Sequence, residues 1–261
     1  RWLYQSGASS AHTFSGDAVR FFDFGDSDPQ IINQSAATHV INMNLEGDGS
    51  SGDPLQIRID NNSGGGLTFG GSINNQGSRL EVLGTASSAA TVTFGGVISG
   101  SGGFYKENSN ITALMTNANT YSGQTEVQAG TLRLAGSGSL ANSAVRLHSG
   151  GTLSISNSAT VSSVAEFASG NAGVVAISNG ATLTVTANSL DVYQNSISGE
   201  GGLTKQGSHT LNLYGSQTYT GTTTVSAGQL ATSVAMSSTN FTLTGGTFRT
   251  TAANVISDTA A

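Results

Sequence analysis

Ser208 and His209 are adjacent, and a serine beside a histidine base is the beginning of a nucleophilic pair. Neighbouring side chains on a strand point to opposite faces, so the two are expected to part rather than cooperate. His12, His39 and His148 are far apart, and none has a second histidine nearby in sequence to suggest a metal centre. Glu81, Glu107, Glu126, Glu166, Asp191 and Glu200 are single acids spread along the chain. A glycoside hydrolase needs two carboxyl groups about 5 to 9.5 Å apart. In a protein of stacked coils this means acids at one strand position, one or two coils apart, and the sequence brings no two of them to matching positions. Asp23, Asp26 and Asp28 crowd before Pro29 and offer oxygens to calcium, yet their spacing fits neither an EF-hand loop nor the glycine-rich calcium nonapeptide. Asp48 and Asp53 lie in a glycine-rich turn and are expected to bond their own backbone. There is no G-x-S-x-G elbow, no H-E-x-x-H and no cysteine. The chain is therefore read as non-catalytic, with no catalytic, cofactor-binding or metal-ligating residue assigned.

The elements that would position such groups are short strands. Ile41, Met43 and Leu45 alternate with Asn42, Asn44 and Glu46, and Leu55, Ile57 and Ile59 alternate with Gln56, Arg58 and Asp60, so one side faces a core and the other water. Further inward pairs are expected at Leu80 and Val82, Leu132 and Leu134, Val145 and Leu147, Leu153 and Ile155, Leu183 and Val185, Leu211 and Leu213, and Phe241 and Leu243. LTFGGSI from Leu67 recurs as VTFGGVI from Val92, an offset that suits one coil of a solenoid. Residues 161–170 are the nearest approach to a helix, as one turn or a loop. With 36 glycines, two prolines and 9% charged residues, the composition suits many tight turns. A net charge of −6, with nine basic residues spread thinly, excludes a phosphate-binding stripe and with it nucleic acid. No apolar run approaches the length of a membrane-spanning helix. The opening RWLYQSG reads as a mature or excised piece, so a membrane would be reached only through an anchor outside this chain.

A longer repeat overlies the coil period. Residues 98–132 and 197–230 share the glycines 100, 102 and 103 with 199, 201 and 202, then Lys106 with Lys205, then the T-Y-x-G of Tyr121 with that of Tyr219. The second copy reads G-G-L-T-K-Q-G, T-L-N-L, Q-T-Y-T-G and T-T-V-S-A-G-Q-L, whereas the first has Phe104 and Asn108 at its leucine and second glycine positions. This unit resembles the passenger-associated repeat of bacterial autotransporters and related secreted surface proteins. The resemblance implies an all-β protein, a right-handed parallel β-helix (β-solenoid) exported across the outer membrane to be secreted or displayed at the cell surface, and it implies no reaction. Residues 1–38 are then an N-terminal cap and first coil, and 39–261 a β-helix holding both repeats.

The repeated Lys106 and Lys205 argue for a fold role. Tyr121 and Tyr219 are either sugar-stacking platforms or corner packing, with packing the preferred reading. N-x-S/T triplets at Asn33, Asn61, Asn110 and Asn240 are expected by chance in such a composition. The function expected is architectural: a rod whose polar Thr/Ser/Asn face adheres to a cell-surface glycan or protein, or to itself as a filament subunit. Polysaccharide cleavage on a β-helix scaffold is the remaining alternative.

Overall fold

The computed structural model describes residues 10–21, 28–47, 49, 54–166, 173–188, 191–238 and 240–250. Among these there are 26 strands and no helix, and the strands pair in parallel. Each coil crosses three faces in turn. Thr13–Phe14, His39–Ile41, Leu67–Phe69, Ala90–Phe94 and Ile111–Met115 stack on the first. Val19–Arg20, Leu45–Glu46, Ile73–Asn74 and Ile98–Ser99 stack on the second. Gln30–Asn33, Leu55–Ile59, Leu80–Leu83 and Phe104–Lys106 stack on the third. The chain is thus a parallel β-solenoid, and its coils differ in length: the step from Gln30 to Gln56 is longer than that from Leu132 to Leu153, and that from Ala159 to Leu183 is longer again than that from Leu140 to Val161.

Alternation explains the faces. Leu55–Ile59 and Ile111–Met115 each bury every second residue, because the pleat sends successive side chains to opposite sides. Like then stacks on like inside: Val92 on Leu67 and Ala113, and Leu153 on Leu132 and Val175. Phe69 and Phe94 stack with ring centroids 5.5 Å apart, and Phe104 meets Phe94 edge-on at 5.8 Å.

Two expectations change, at Leu243 and at residues 161–170. Leu183 pairs with Ala159 on the second face, while the strand Val174–Ile177 lies over Thr152–Ile155. Leu243 occupies the register of buried Val225 but is 53% exposed, since no described strand follows it on that column. Residues 161–166 belong to the strand Ala159–Glu166 rather than to a helical turn, while 167–170 lie outside the described residues. His39–Ile41 stacks directly on Thr13–Phe14.

Register also fixes how the two repeats sit. Residues 98–99 lie on the second face and Lys106 on the third. In the later copy Ile197 stacks on Val175 in the first-face column, and Lys205 falls on the second. The second repeat is therefore turned by one face around the rod.

Leu153→Ala should cost about 2–5 kcal/mol, the range for emptying a buried leucine site. Because each coil touches only its neighbours, the loss of amide protection in hydrogen exchange should be concentrated in the coils bearing Leu132 and Val175. Uniform loss along the rod would contradict this account.

Candidate functional site

Two lysines lie inside the rod. Lys106 stands in register between the inward residues Val82 and Val127, and Lys205 between Val185 and Val225, and both are fully buried. A cation there is tolerable only if it is bonded throughout. Lys106 Nζ donates to the carbonyls of Glu107 (2.7 Å), Asn108 (2.8 Å) and Ala129 (3.0 Å). Lys205 Nζ donates to Gln206 (2.5 Å), Gly207 (3.0 Å) and Ala227 (3.3 Å). Three carbonyls match the three N–H bonds of an ammonium. Against this, burial pulls the Lys106 amine down to about 7, partly opposed by the Glu107 carboxylate, and lowers Lys205 as well, with Asp191 opposing. The glycine after each third acceptor is required. Gly130 and Gly228 have φ of 75° and 65°, and a Cβ on Gly130 would collide with the Asn108 carbonyl and stand 2.9 Å from Lys106 Nζ.

The repeated tyrosines are also internal. Tyr121 and Tyr219 are at most 1% exposed, which removes them as sugar platforms. Tyr121 hydroxyl lies 2.6 Å from Thr125 Oγ1, which lies 2.8 Å from Ser143 Oγ, and Ser143 donates to the Gly123 carbonyl at 2.7 Å. That final carbonyl sets the direction, so each hydroxyl donates to the next. Tyr219, Thr223, Ser238 and the Gly221 carbonyl repeat the chain at 2.6, 2.9 and 2.7 Å. Burial raises both tyrosine pKa values, outweighing their hydroxyl bonds. The residues that define the repeat therefore build its interior and leave the outer surface free to vary.

On that outer surface the third face carries a polar column. Gln30, Gln56, Glu81, Tyr105, Glu126 and Arg146 occupy one register position on successive coils. Gln30 donates to Gln56 (3.0 Å), and Gln56 donates to Asp28 (2.6 Å) and Glu81 (3.3 Å). Arg79 binds Glu81 through Nε (2.8 Å) and Nη2 and lies 4.6 Å from the Tyr105 ring centroid. The Gln124 amide, oriented to donate to Glu126 Oε1 (3.0 Å), accepts from Arg146 Nε (2.6 Å), and His148 Nε2 lies 4.0 Å from Glu126 Oε2. Burial raises the Tyr105 pKa, and Glu107, Glu81 and Glu126 add to this against Arg79. The column thus alternates donors, acceptors and a ring on a rigid sheet.

Several residues fall where the sequence did not put them. Glu81 and Glu126 do share a register position two coils apart, contrary to expectation; the step from Glu81 to Tyr105 is longer than that from Tyr105 to Glu126, and this inequality hid the match. They do not form an open carboxylate pair, because Tyr105 stands between them and the Glu81 side chain is tied to Arg79 and 7% exposed. Ser208 Oγ does reach His209 Nδ1 (3.2 Å), because both lie in a turn rather than on a strand, and no carboxylate contacts His209 among the described residues. Asp191 is buried and accepts from Ser163 (2.7 Å). Glu107 and Glu200 lie at exposed turns, and nothing is described of the Glu166 side chain. Asn33, Asn61 and Asn110 bond backbone carbonyls of neighbouring turns. Asp23, Asp26, Asp48 and Asp53 lie outside the described residues.

His12 and His39, far apart in sequence, stack at 5.4 Å, because His12 immediately precedes the Thr13↔Val40 pairing. His39 Nδ1 accepts from the His12 backbone amide (3.1 Å), so Nε2 carries the proton toward Ser35 Oγ (2.7 Å). Burial, then the charge on His12, lowers the His39 pKa from its ordinary 6.5. Protonating Nδ1 would remove an acceptor at the junction of the first two coils.

Two outcomes follow. Lys106→Met, in an equilibrium urea titration, should lose about 3 kcal/mol by removing one buried donor from each of three carbonyls, of which that of Asn108 keeps a further bond, from the Ile111 amide. The stability that neutral His39 contributes is complete above its unfolded-state pKa of 6.5 and is lost as pH falls through its lower folded-state value. Hydrogen exchange at the amides of Val40 and Asn42, which bond the first coil, should accelerate over that window. His39→Gln should flatten this pH dependence.

The passenger-associated-transport-repeat family model matches residues 106–134 and 203–231, each beginning at or just before a buried lysine. Over 155 residues the chain is 36% identical to an adhesin, the BmaC autotransporter of Brucella suis biovar 1 (strain 1330), an alignment covering 54% of this chain and 4% of the adhesin. The chain thus spans a small fraction of that relative's length. No solved structure matches it. The lysine clamps and the Tyr–Thr pairs that begin the hydroxyl chains fall inside the matched segments, while Ser143 and Ser238 lie just beyond them, and the chain is a β-solenoid that carries two passenger-associated-transport repeats.

Proposed function

We propose that this chain is a non-catalytic, adhesive segment of an extracellular bacterial surface protein, exported as an autotransporter passenger and displayed as a rod. The observation that carries this reading is the division of labour in the repeats: the shared lysine, tyrosine and threonine of the clamps and hydroxyl chains are turned inward to hold the coil. The outward positions are then free to carry contacts with a host or neighbouring cell. Likeness to a protein named as an adhesin supports the same direction. Two surfaces suit such contacts. One is the Gln30 to Arg146 column with Tyr105 at its centre. The other is the second face, where Thr160, Thr184, Thr204, Thr224 and Thr242 stand in line. Contacts repeated at about 4.8 Å along a rod add through avidity, so modest individual bonds can hold a cell.

Beads coated with the purified chain should bind epithelial cells or extracellular matrix well above beads coated with an unrelated β-solenoid. The double variant Tyr105→Ala, Arg146→Ala should reduce that binding several-fold while leaving the melting temperature within a few degrees. Wild-type binding no greater than the control would reject the adhesive reading.

A further inference from the structure

On the third face, beyond the charged column, the outward register Asn212, Ala231, Arg249 contains a gap. Ala231 is the small residue between two longer ones, and the space above its methyl forms an open notch of about 130 Å³ lined also by Tyr214 and Thr232. Tyr214 is 47% exposed, one of only two large hydrophobic side chains so exposed among the described residues. It follows Asn212 by two positions and so projects on the same side of the sheet. The Asn212 side-chain amide donates to the Asp191 carbonyl (3.2 Å), which leaves Oδ1 as an outward acceptor. Thr232 Oγ1 is spent on Val234, so the hydroxyl offers nothing to the notch. Arg249 is exposed and has no hydrogen bond or ion pair among the described residues, whereas Arg58 and Arg79 are each held by a carboxylate. Arg249, whose side chain has no partner among the described residues, thus lines one alanine-sized gap together with Tyr214 and Asn212, in a chain whose net charge is −6.

These groups select a ligand. A guanidinium binds a carboxylate by two parallel N–H bonds, an exposed tyrosine ring stacks on the C–H face of a pyranose, and an amide oxygen accepts from a ring hydroxyl. We propose that this notch is a subsite for a pyranose carrying a carboxylate, a uronate or a sialate, with its carboxylate on Arg249 and its ring against Tyr214. A neutral sugar would leave the guanidinium unused. A phosphate or sulfate would satisfy Arg249 but offer no ring to Tyr214. The inference rests on the adhesive reading for its biological setting, but the chemistry of the notch is tested independently of it.

The test titrates the full chain with trigalacturonate and with 3′-sialyllactose, using methyl-esterified trigalacturonate and lactose as uncharged counterparts, and reads binding by calorimetry and saturation-transfer NMR. Saturable binding of at least one carboxylated probe is expected, about tenfold or more tighter than its uncharged counterpart, a difference of about 1.4 kcal/mol. Which probe binds distinguishes a uronate from a sialate. Arg249→Ala and Tyr214→Ala should each weaken it about tenfold, and Ala231→Leu, which fills the notch, should abolish it. Tyr105→Ala, on the distant column, should leave it unchanged. The exposed substitutions should keep the wild-type melting temperature, so lost binding would not be lost folding. Equal binding of charged and uncharged probes, no binding of either carboxylated probe, or full binding by Arg249→Ala would each overturn the proposal. Coated beads report on the adhesive reading separately: no cell binding by the wild type would defeat adhesion and leave the notch standing, whereas cell binding without saturable binding of either carboxylated probe would leave adhesion standing and defeat the notch alone.

Discussion

At each corner of this rod the backbone leaves one sheet before entering the next; some corner carbonyls are taken by amides of the neighbouring coil, and those that turn inward need another donor. Water can reach the outer side of a corner but not the inner, and an unpaired carbonyl buried among valines and leucines is costly. Lys106 and Lys205 answer that constraint from inside the core, each gathering three corner carbonyls on one ammonium. Much of the repeat follows from this. The lysine needs a stem position in the inward column, the third acceptor must come from the next coil, and the residue after it must be a glycine in the left-handed region.

The hydroxyl chains solve the same problem where no cation is used. Tyr121 fills the space at its corner with a ring and starts a run of donated hydrogen bonds through Thr125 and, on the next coil, Ser143, which returns to the Gly123 carbonyl beside Tyr121. Tyr193, between the two repeats, reaches the Gly173 carbonyl directly at 3.1 Å. Both devices tie one coil to the next without disulfides, in a chain that has no cysteine. They are local, so the stability of the rod accumulates coil by coil rather than residing in one centre.

The fold was legible because its two periods are simple. Alternation marked Leu55–Ile59 as half-buried, and the recurrence of LTFGGSI as VTFGGVI placed Phe94 above Phe69. The matched lysines announced a role in the fold, although nothing local said that they were inside. The surface was harder to read, because an outward column depends on register summed over coils of unequal length. Glu81, Tyr105 and Glu126 line up only because two successive coils, the first longer than the second, both end at one strand position. His12 with His39, and Asn212 with Ala231 and Arg249, were hidden for the same reason. Ser208 with His209 was misjudged differently: the strand rule was applied to a turn.

The turn of one face between the two repeats has a geometric consequence. The sequence period of the unit is not a whole number of coils, so the unit and the winding are out of phase, like a thread whose markings are spaced off its pitch. Were such units to continue at this offset, equivalent outward residues would advance around the axis and return to the same azimuth only at every third unit. A backbone array built this way would show no front or back. Its outward residues differ between copies, as Tyr105 and Thr204 do beside the two clamp lysines, so each azimuth would carry a surface of its own.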